Sequence, residues 1–185
     1  ESESRGLGDV YKRQVSKVAA ENMCKMYSDL FDLNIVNLRY FNVYGERQPL
    51  RGQYAPVVGL FLEQWKNGDR FTIVGDGEQR RDFTHVRDVV RANIAAAIRS
   101  ECINGELINV GTGTNHSVNQ VANMISSSNA MEFISPRPAE ARVTLADISK
   151  AKELLGYLPS IEISDWIDEH KICLLYTSDA ADDGL

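Results

Sequence analysis

Residues 35–45 read Ile35-Val36-Asn37-Leu38-Arg39-Tyr40-Phe41-Asn42-Val43-Tyr44-Gly45. The first six are short and mostly apolar, as a strand covered on both faces should be. Upstream, Val15, Val18, Ala19, Met23, Met26, Tyr27 and Leu30 recur at steps of three and four. That spacing predicts one amphipathic helix with this stripe buried, ending near Asp32. A helix feeding directly into a doubly covered strand is the closing part of an α/β doubly wound unit.

Beyond Gly45 the pattern changes. A polar loop over 46–54 leads to a helix through Val57, Val58, Leu60, Phe61, Leu62 and Trp65, stopped by Asn67-Gly68. Phe71 to Val74 reads as a strand with Gly75-Asp76-Gly77 as its turn, and a second strand is expected from Asp82 to Val86. A helix then carries Val89, Val90, Ala92, Ile94 and Ile98, and Leu107 to Val110 is a strand closed by Gly111-Thr112-Gly113. Ser117 and Gln120 have the spacing of a capping box, and Asp147 can cap a helix that Gly156 ends.

The composition, 43% hydrophobic and 25% charged over 185 residues, is that of one globular domain. No apolar run reaches the roughly 20 residues needed to cross a bilayer, so no membrane role is expected. Asp179, Asp182 and Asp183 at the end carry half of the net charge of −6, which leaves a mildly acidic remainder with no field for nucleic acid. Cys24, Cys102 and Cys173 are too scattered for a disulfide framework or a metal site, and a cytoplasmic home is the simpler expectation. Residues 1–14 lack apolar periodicity and residues 173–185 carry no motif; both read as foreign to the domain.

Three stretches carry chemistry. Ser16-Lys17 opens the helix, Tyr40-Phe41-Asn42 ends the strand, and Arg80-Arg81-Asp82-Phe83-Thr84-His85-Val86-Arg87-Asp88 follows the glycine turn. With Arg137-Pro138-Ala139-Glu140 further on, the order resembles the nucleotide-sugar epimerases and dehydratases of the extended short-chain dehydrogenase/reductase family. The resemblance runs from about Val15 to about Lys171. It implies that residues 15–45 are the end of a Rossmann-type NAD-binding domain whose N-terminal half is absent, and that 46–172 are mainly a small α/β domain for substrate.

By that resemblance Lys17 is the catalytic lysine, binding the nicotinamide ribose of NAD and lowering the pKa of a tyrosine four residues before it. Arg13 stands at that position, and a guanidinium accepts no proton. Phe41 is implied beside the cofactor and Asn42 on the substrate phosphates. Arg81 and Arg137 would hold the diphosphate, a task suited to a planar fork of donors. Glu140 would take a ribose hydroxyl, and Phe71 and Val74 the uracil ring. Alternatives from the residues alone are a strand end for Asn42, solvated ion pairs for Arg81 and Glu140, and strand core for Phe71 and Val74. His85 reads as structural rather than catalytic.

The implied parent is an enzyme interconverting UDP-glucose and UDP-galactose, or their N-acetyl forms, at C4 by transient NAD-dependent oxidation. A dehydratase or decarboxylase acting on a nucleotide sugar shares every residue named. A noncatalytic relative that kept sugar-nucleotide binding is the reading from a different class. The parent is expected to be a homodimer pairing through helix 15–30, and the chain as it stands is expected to be inactive.

Overall fold

A computed structural model describes residues 2–50, 55–99, 103–137 and 140–182, with side chains described from Gln14 to Leu174 within those ranges. Arg13's side chain, Pro138, Ala139 and Cys102 lie outside the described set. The order is α1 (Ser2–Phe31), β1 (Asn37–Tyr40), β2 (Val43–Tyr44), α2 (Val57–Asn67), β3 (Phe71–Val74), β4 (Arg80–Arg81) and β5 (Thr84–His85). It continues with α3 (Val86–Arg99), β6 (Leu107–Val110), β7 (His116–Ser117), α4 (Val118–Ile125), β8 (Met131–Ile134), α5 (Ser149–Leu155) and α6 (Ile163–Asp182). Mixed helices and parallel strands make an α/β fold. None of the described helices is long and apolar enough to cross a membrane.

Parallel pairing dominates. β1 lies beside β6 with Asn37 opposite Leu107 and Tyr40 opposite Val110, β2 beside β5, and β3 beside β8; only β4 and β7 run antiparallel. Each parallel pair is joined through intervening helix, as such crossovers require. Local signals behave as their chemistry predicts. Gly68 and Gly156 end α2 and α5 in the left-handed region, at φ 72° and 63°. Ser117 caps α4 by accepting from Gln120 N, while the Gln120 side chain accepts from Ser117 N. The cap expected at Asp147 differs: it accepts from Ser149 N at 2.9 Å from two residues before α5, while Ile148 holds the cap position and no side chain caps the helix.

Two cores form. One joins Tyr44, Val58, Phe61, Leu62, Phe71, Ile73 and Phe83 to α4 and to Ile163, Trp166 and Ile167 of α6. The other sets Val89, Ala92 and Ala96 of α3 against Ile108, Val110, Ala151 and Leu155, with Val36, Leu38 and Phe41 beside them. Each fully buried residue of this size contributes about 1.5–3 kcal/mol. The boundary read at residue 45 is therefore crossed: α3, β6 and α5 build the layer around β1, while Tyr44 belongs to the other core.

The structure corrects two expectations and adds helix at both ends of the chain. The expected buried stripe of α1 faces outward: Val15, Val18, Met23, Met26, Tyr27 and Leu30 are between 41% and 67% exposed. The helix instead meets the domain through half-buried Glu21 and Cys24 and buried Ser28, on polar links. Glu21 takes both ends of the Arg39 guanidinium at 2.7 and 2.6 Å, and Ser28 Oγ lies 3.1 Å from Asn104 Oδ1. Residues 2–14 and 173–182, read as outside the domain, continue α1 and α6. Extending an existing helix adds a bond per residue fixed and needs no buried face of its own. Finally, the strand expected over 82–86 shrinks to β5: buried Asp82 and Phe83 lie outside strand pairing between β4 and β5, and Val86 already opens α3.

Candidate active site

The antiparallel pairing of β4 with β7 puts Arg80 opposite Ser117 and Arg81 opposite His116. Adjacent strand residues point to opposite faces. Arg80 is tied down on one side, donating to Asn115 Oδ1 and O at 2.7 Å each. Arg81 emerges on the other and donates to Glu140 Oε1 at 2.7 Å.

Glu140 belongs to the wall of an open cavity of about 720 Å³. Val74, Gly75, Asp76 and Gln79 form one wall; Phe133, Ile134, Pro136, Arg137, Glu140, Ala141 and Arg142 form the other. The cavity exists because β3 and β8 lie side by side and both chains turn away beyond their carboxyl ends, where Gly75 N still reaches Ile134 O at 2.9 Å. Its floor is apolar and its rim carries both signs of charge, a combination that suits a small ligand with a flat ring and an anionic group.

The expected site residues divide. Val74, Arg137 and Glu140 line the cavity, and Arg81 reaches it through Glu140. Phe71, expected beside the ligand, is instead fully buried and stacks on Phe61 with centroids 5.0 Å apart. Three positions separate Phe71 from Val74, so on one strand they face opposite ways. Asn42 has φ +26°, a conformation asparagine tolerates. Its amide donates to Asp82 O at 3.0 Å and to Thr144 Oγ1 at 3.2 Å. Phe41 donates its N–H to Val110 O at 3.1 Å and packs on the β1 core. Lys17 is exposed on α1, and no hydrogen bond or ion pair joins it to Asn42 among the described residues.

Two carboxylates unmarked by the sequence reading organise the site. Asp82 has no exposed surface. Its Oδ1 accepts from Thr112 N and Thr112 Oγ1 at 2.8 Å each, and its Oδ2 from Gly113 N at 3.0 Å and Ala146 N at 3.1 Å. Asp76 is gripped by Arg142 with two bonds of 2.7 and 2.9 Å and also accepts from Glu78 N. The Arg142 guanidinium and that amide hold its carboxyl down at about 2. Burial pushes the His85 imidazole below its ordinary range. That ring has no exposed surface, and its Nδ1 accepts from Arg87 N at 3.2 Å.

The Gly111-Thr112-Gly113 turn looks like a phosphate nest, but its N–H groups at Thr112 and Gly113 are spent on Asp82. The residues present therefore do not fit a whole dinucleotide. Lys17 and Phe41 could meet only one end of NAD, and no cradle for its pyrophosphate exists among the described residues. No group of described side chains could hold a metal ion.

Comparison with known proteins agrees with this geometry. Residues 10–111 match the NAD dependent epimerase/dehydratase family. The chain is 36% identical over 157 residues to a putative UDP-glucose 4-epimerase of Methanocaldococcus jannaschii, covering 83% of this chain and 50% of that protein. It is 34% identical to a UDP-N-acetyl-alpha-D-glucosaminuronate decarboxylase of Bacillus cytotoxicus, covering 84% and 50%. A solved UDP-glucuronic acid 4-epimerase of Bacillus cereus, in complex with UDP-glucuronic acid and NAD, superposes with a TM-score of 0.77 at 34% identity, covering 88% of this chain and 52% of that one. The chain thus spans about half the length of the curated relatives it matches. Its motifs, its fold and these likenesses agree: the chain belongs to the NAD dependent epimerase/dehydratase family.

Proposed function

We propose that this chain is the nucleotide-sugar-binding part of a UDP-sugar 4-epimerase, its parent interconverting UDP-glucose and UDP-galactose or the N-acetyl forms. The observation that carries the reading is the cavity beyond β3 and β8, apolar at Val74 and Ile134 and rimmed by Arg137 and Glu140 with Arg81 behind. The uracil ring packs against Val74 and its neighbours. Arg137 and Arg81 meet the diphosphate, a dianion that competes with Glu140 for the Arg81 fork. Glu140, once released, accepts from a ribose hydroxyl, and the Asn42 amide donates to phosphate oxygen by giving up its bond to Thr144 Oγ1.

Redox chemistry in such a reaction belongs to NAD; the described residues supply no cradle for its pyrophosphate, and Arg13 stands four residues before Lys17 where the tyrosine is implied. Lys17 and Phe41 are assigned to the nicotinamide end of a complete protein. The outward apolar stripe of α1 is the surface the rest of that protein would cover, and the parent is assigned as a homodimer. Decarboxylation is the second reading, favoured by the likeness to the Bacillus cytotoxicus enzyme.

Titration calorimetry tests the site. UDP should bind the 185-residue chain and uridine more weakly, because the phosphates meet the two arginines. Equal affinity for both would remove the phosphate assignment. The same chain should not turn over UDP-galactose; turnover above a no-protein blank would contradict its assigned incompleteness.

A further inference from the structure

The cavity is crossed at its mouth by an ion pair that no ligand assignment uses. Asp76 lies in the β3–β4 turn between two glycines in the left-handed region, Gly75 at φ +66° and Gly77 at +74°. Its carboxylate accepts from Glu78 N at 3.0 Å, and its carbonyl accepts from the Asn119 amide at 3.0 Å, so the turn itself is fixed to α4. Arg142, 66 residues away in sequence, places two nitrogens on the two oxygens of this carboxylate at 2.7 and 2.9 Å.

Arg142 sits in the segment 140–144, which runs along β4. Arg142 O accepts from Arg80 N at 2.8 Å, Thr144 N donates to Arg80 O at 3.0 Å, and Val143 bridges Arg80 in parallel. Glu140 at one end of this segment holds Arg81, and Thr144 at the other holds the Asn42 amide. Two of the groups assigned to phosphate, Arg81 and Asn42, are thus set by where one five-residue segment lies. Two backbone hydrogen bonds, both with Arg80, hold it to β4, and the side-chain contact that fixes it to the far wall of the cavity is Arg142 on Asp76.

From this geometry we infer that Asp76 and Arg142 are a positioning pair, a clasp that sets segment 140–144 so that Arg81 and Asn42 meet the anionic part of the ligand and Glu140 its ribose. The inference rests on the nucleotide reading of the cavity. Both partners are more than half exposed, and exposed ion pairs add little to stability. A fork meeting a carboxylate at two points nevertheless fixes direction as well as distance. The clasp's contribution is geometry rather than folding energy.

The sign of one substitution separates this role from simple charge. Asp76→Asn keeps the size of the side chain and an oxygen for Glu78 N, but loses the bidentate grip. It also removes a negative charge from the mouth and frees Arg142, and both changes by Coulomb's law should tighten binding of an anion. The clasp reading requires the opposite: UDP affinity of the 185-residue chain falls about 5- to 10-fold. Without ligand, the amides of Arg80 and Thr144 exchange faster by hydrogen exchange while the urea midpoint stays that of the wild type. Arg142→Lys, which keeps the charge without the fork, should fall between wild type and Arg142→Gln in affinity. UDP binding by Asp76→Asn as tight as wild type or tighter, or unchanged exchange at Arg80 and Thr144, overturns the clasp alone. A wild-type chain that takes no UDP at all overturns the reading of the cavity and the clasp with it.

Discussion

Replacing Asp82 by asparagine tests the assignment of a buried carboxylate as the joint of the whole site. Oδ1 faces two donors of Thr112, and Oδ2 faces Gly113 N and Ala146 N, in a place with no exposed surface. An asparagine amide can put only one oxygen there. With that oxygen toward Thr112, its NH2 confronts two backbone N–H groups, each orphan costing about 1–3 kcal/mol. With the oxygen toward Gly113 and Ala146, the NH2 meets Thr112, whose hydroxyl can turn to accept because Thr114 O offers its proton another acceptor at 3.0 Å. That flipped arrangement leaves one orphan, Thr112 N. Adding the exchange of two charge-assisted bonds for neutral ones, at roughly 1 kcal/mol each, gives a loss of about 3 kcal/mol. For a chain unfolding with a urea slope near 2 kcal/mol/M, the midpoint should drop by about 1.5 M. Asp82→Ala orphans three amides and should cost upwards of about 5 kcal/mol, comparable with the stability of an ordinary domain. A midpoint for Asp82→Asn within about 0.3 M of wild type would refute the bookkeeping, because an intact fold would then have found other partners for these amides.

Arg81→Ala and Arg137→Ala should each weaken UDP binding by about 1.5–3 kcal/mol, the worth of a charged hydrogen bond; calorimetry with unchanged affinity in both would remove the phosphate role. The pH dependence of stability follows from His85, which is packed among Tyr44 and Trp166 and faces Glu46, Asp88, Arg87 and Arg91. Its folded pKa lies below the ordinary 6.5, so the unfolded chain takes the proton first, and stability present above pH 6.5 is lost as the pH falls below it. His170 is lowered the same way, by burial. Urea midpoints measured between pH 7.5 and 5.5 should therefore decline more steeply in the wild type than in His85→Gln, and parallel slopes would contradict the shift.

What the sequence disclosed and what it hid divide along the range of the interactions. The helix over 57–67, the strand over 71–74, the capping box at Ser117 and the glycine stops are decided within a few residues, and each formed where expected. Phe71 takes the strand-core alternative, and the sequence could have decided it: a spacing of three on a strand forbids it from sharing a face with Val74. The direction of α1 was not so accessible. Periodicity establishes that a helix has an apolar stripe, but what covers it depends on which chain lies alongside. Asp82, Asp76 and Arg142 carried no assigned role from the sequence because their partners lie 30 to 66 residues away. A charge at the head of an otherwise uncharged strand pattern was the available signal at Asp82, which lies outside the observed strand.

The two chemistries implied by the family are unequally supported from within this chain, and the reason is topological. The assigned nucleotide end is closed on itself: β3, β8 and the segment 140–144 supply the cavity walls, and Arg81–Glu140 and Arg142–Asp76 tie them together among the described residues. The nicotinamide end rests on α1 and β1. Among the described residues β1 pairs on one edge only, with β6, and α1 touches the domain through Glu21 and Ser28 while its apolar side stays open. Five or six large apolar side chains left at that exposure are a liability unless something covers them. Binding of a UDP group should accordingly survive in this chain where NAD retention does not. The order of loss would reverse only if the apolar face of α1 were covered by a second copy in a way that rebuilt a pyrophosphate cradle, and a nest of that kind needs glycine-rich turns that this chain spends on Asp82.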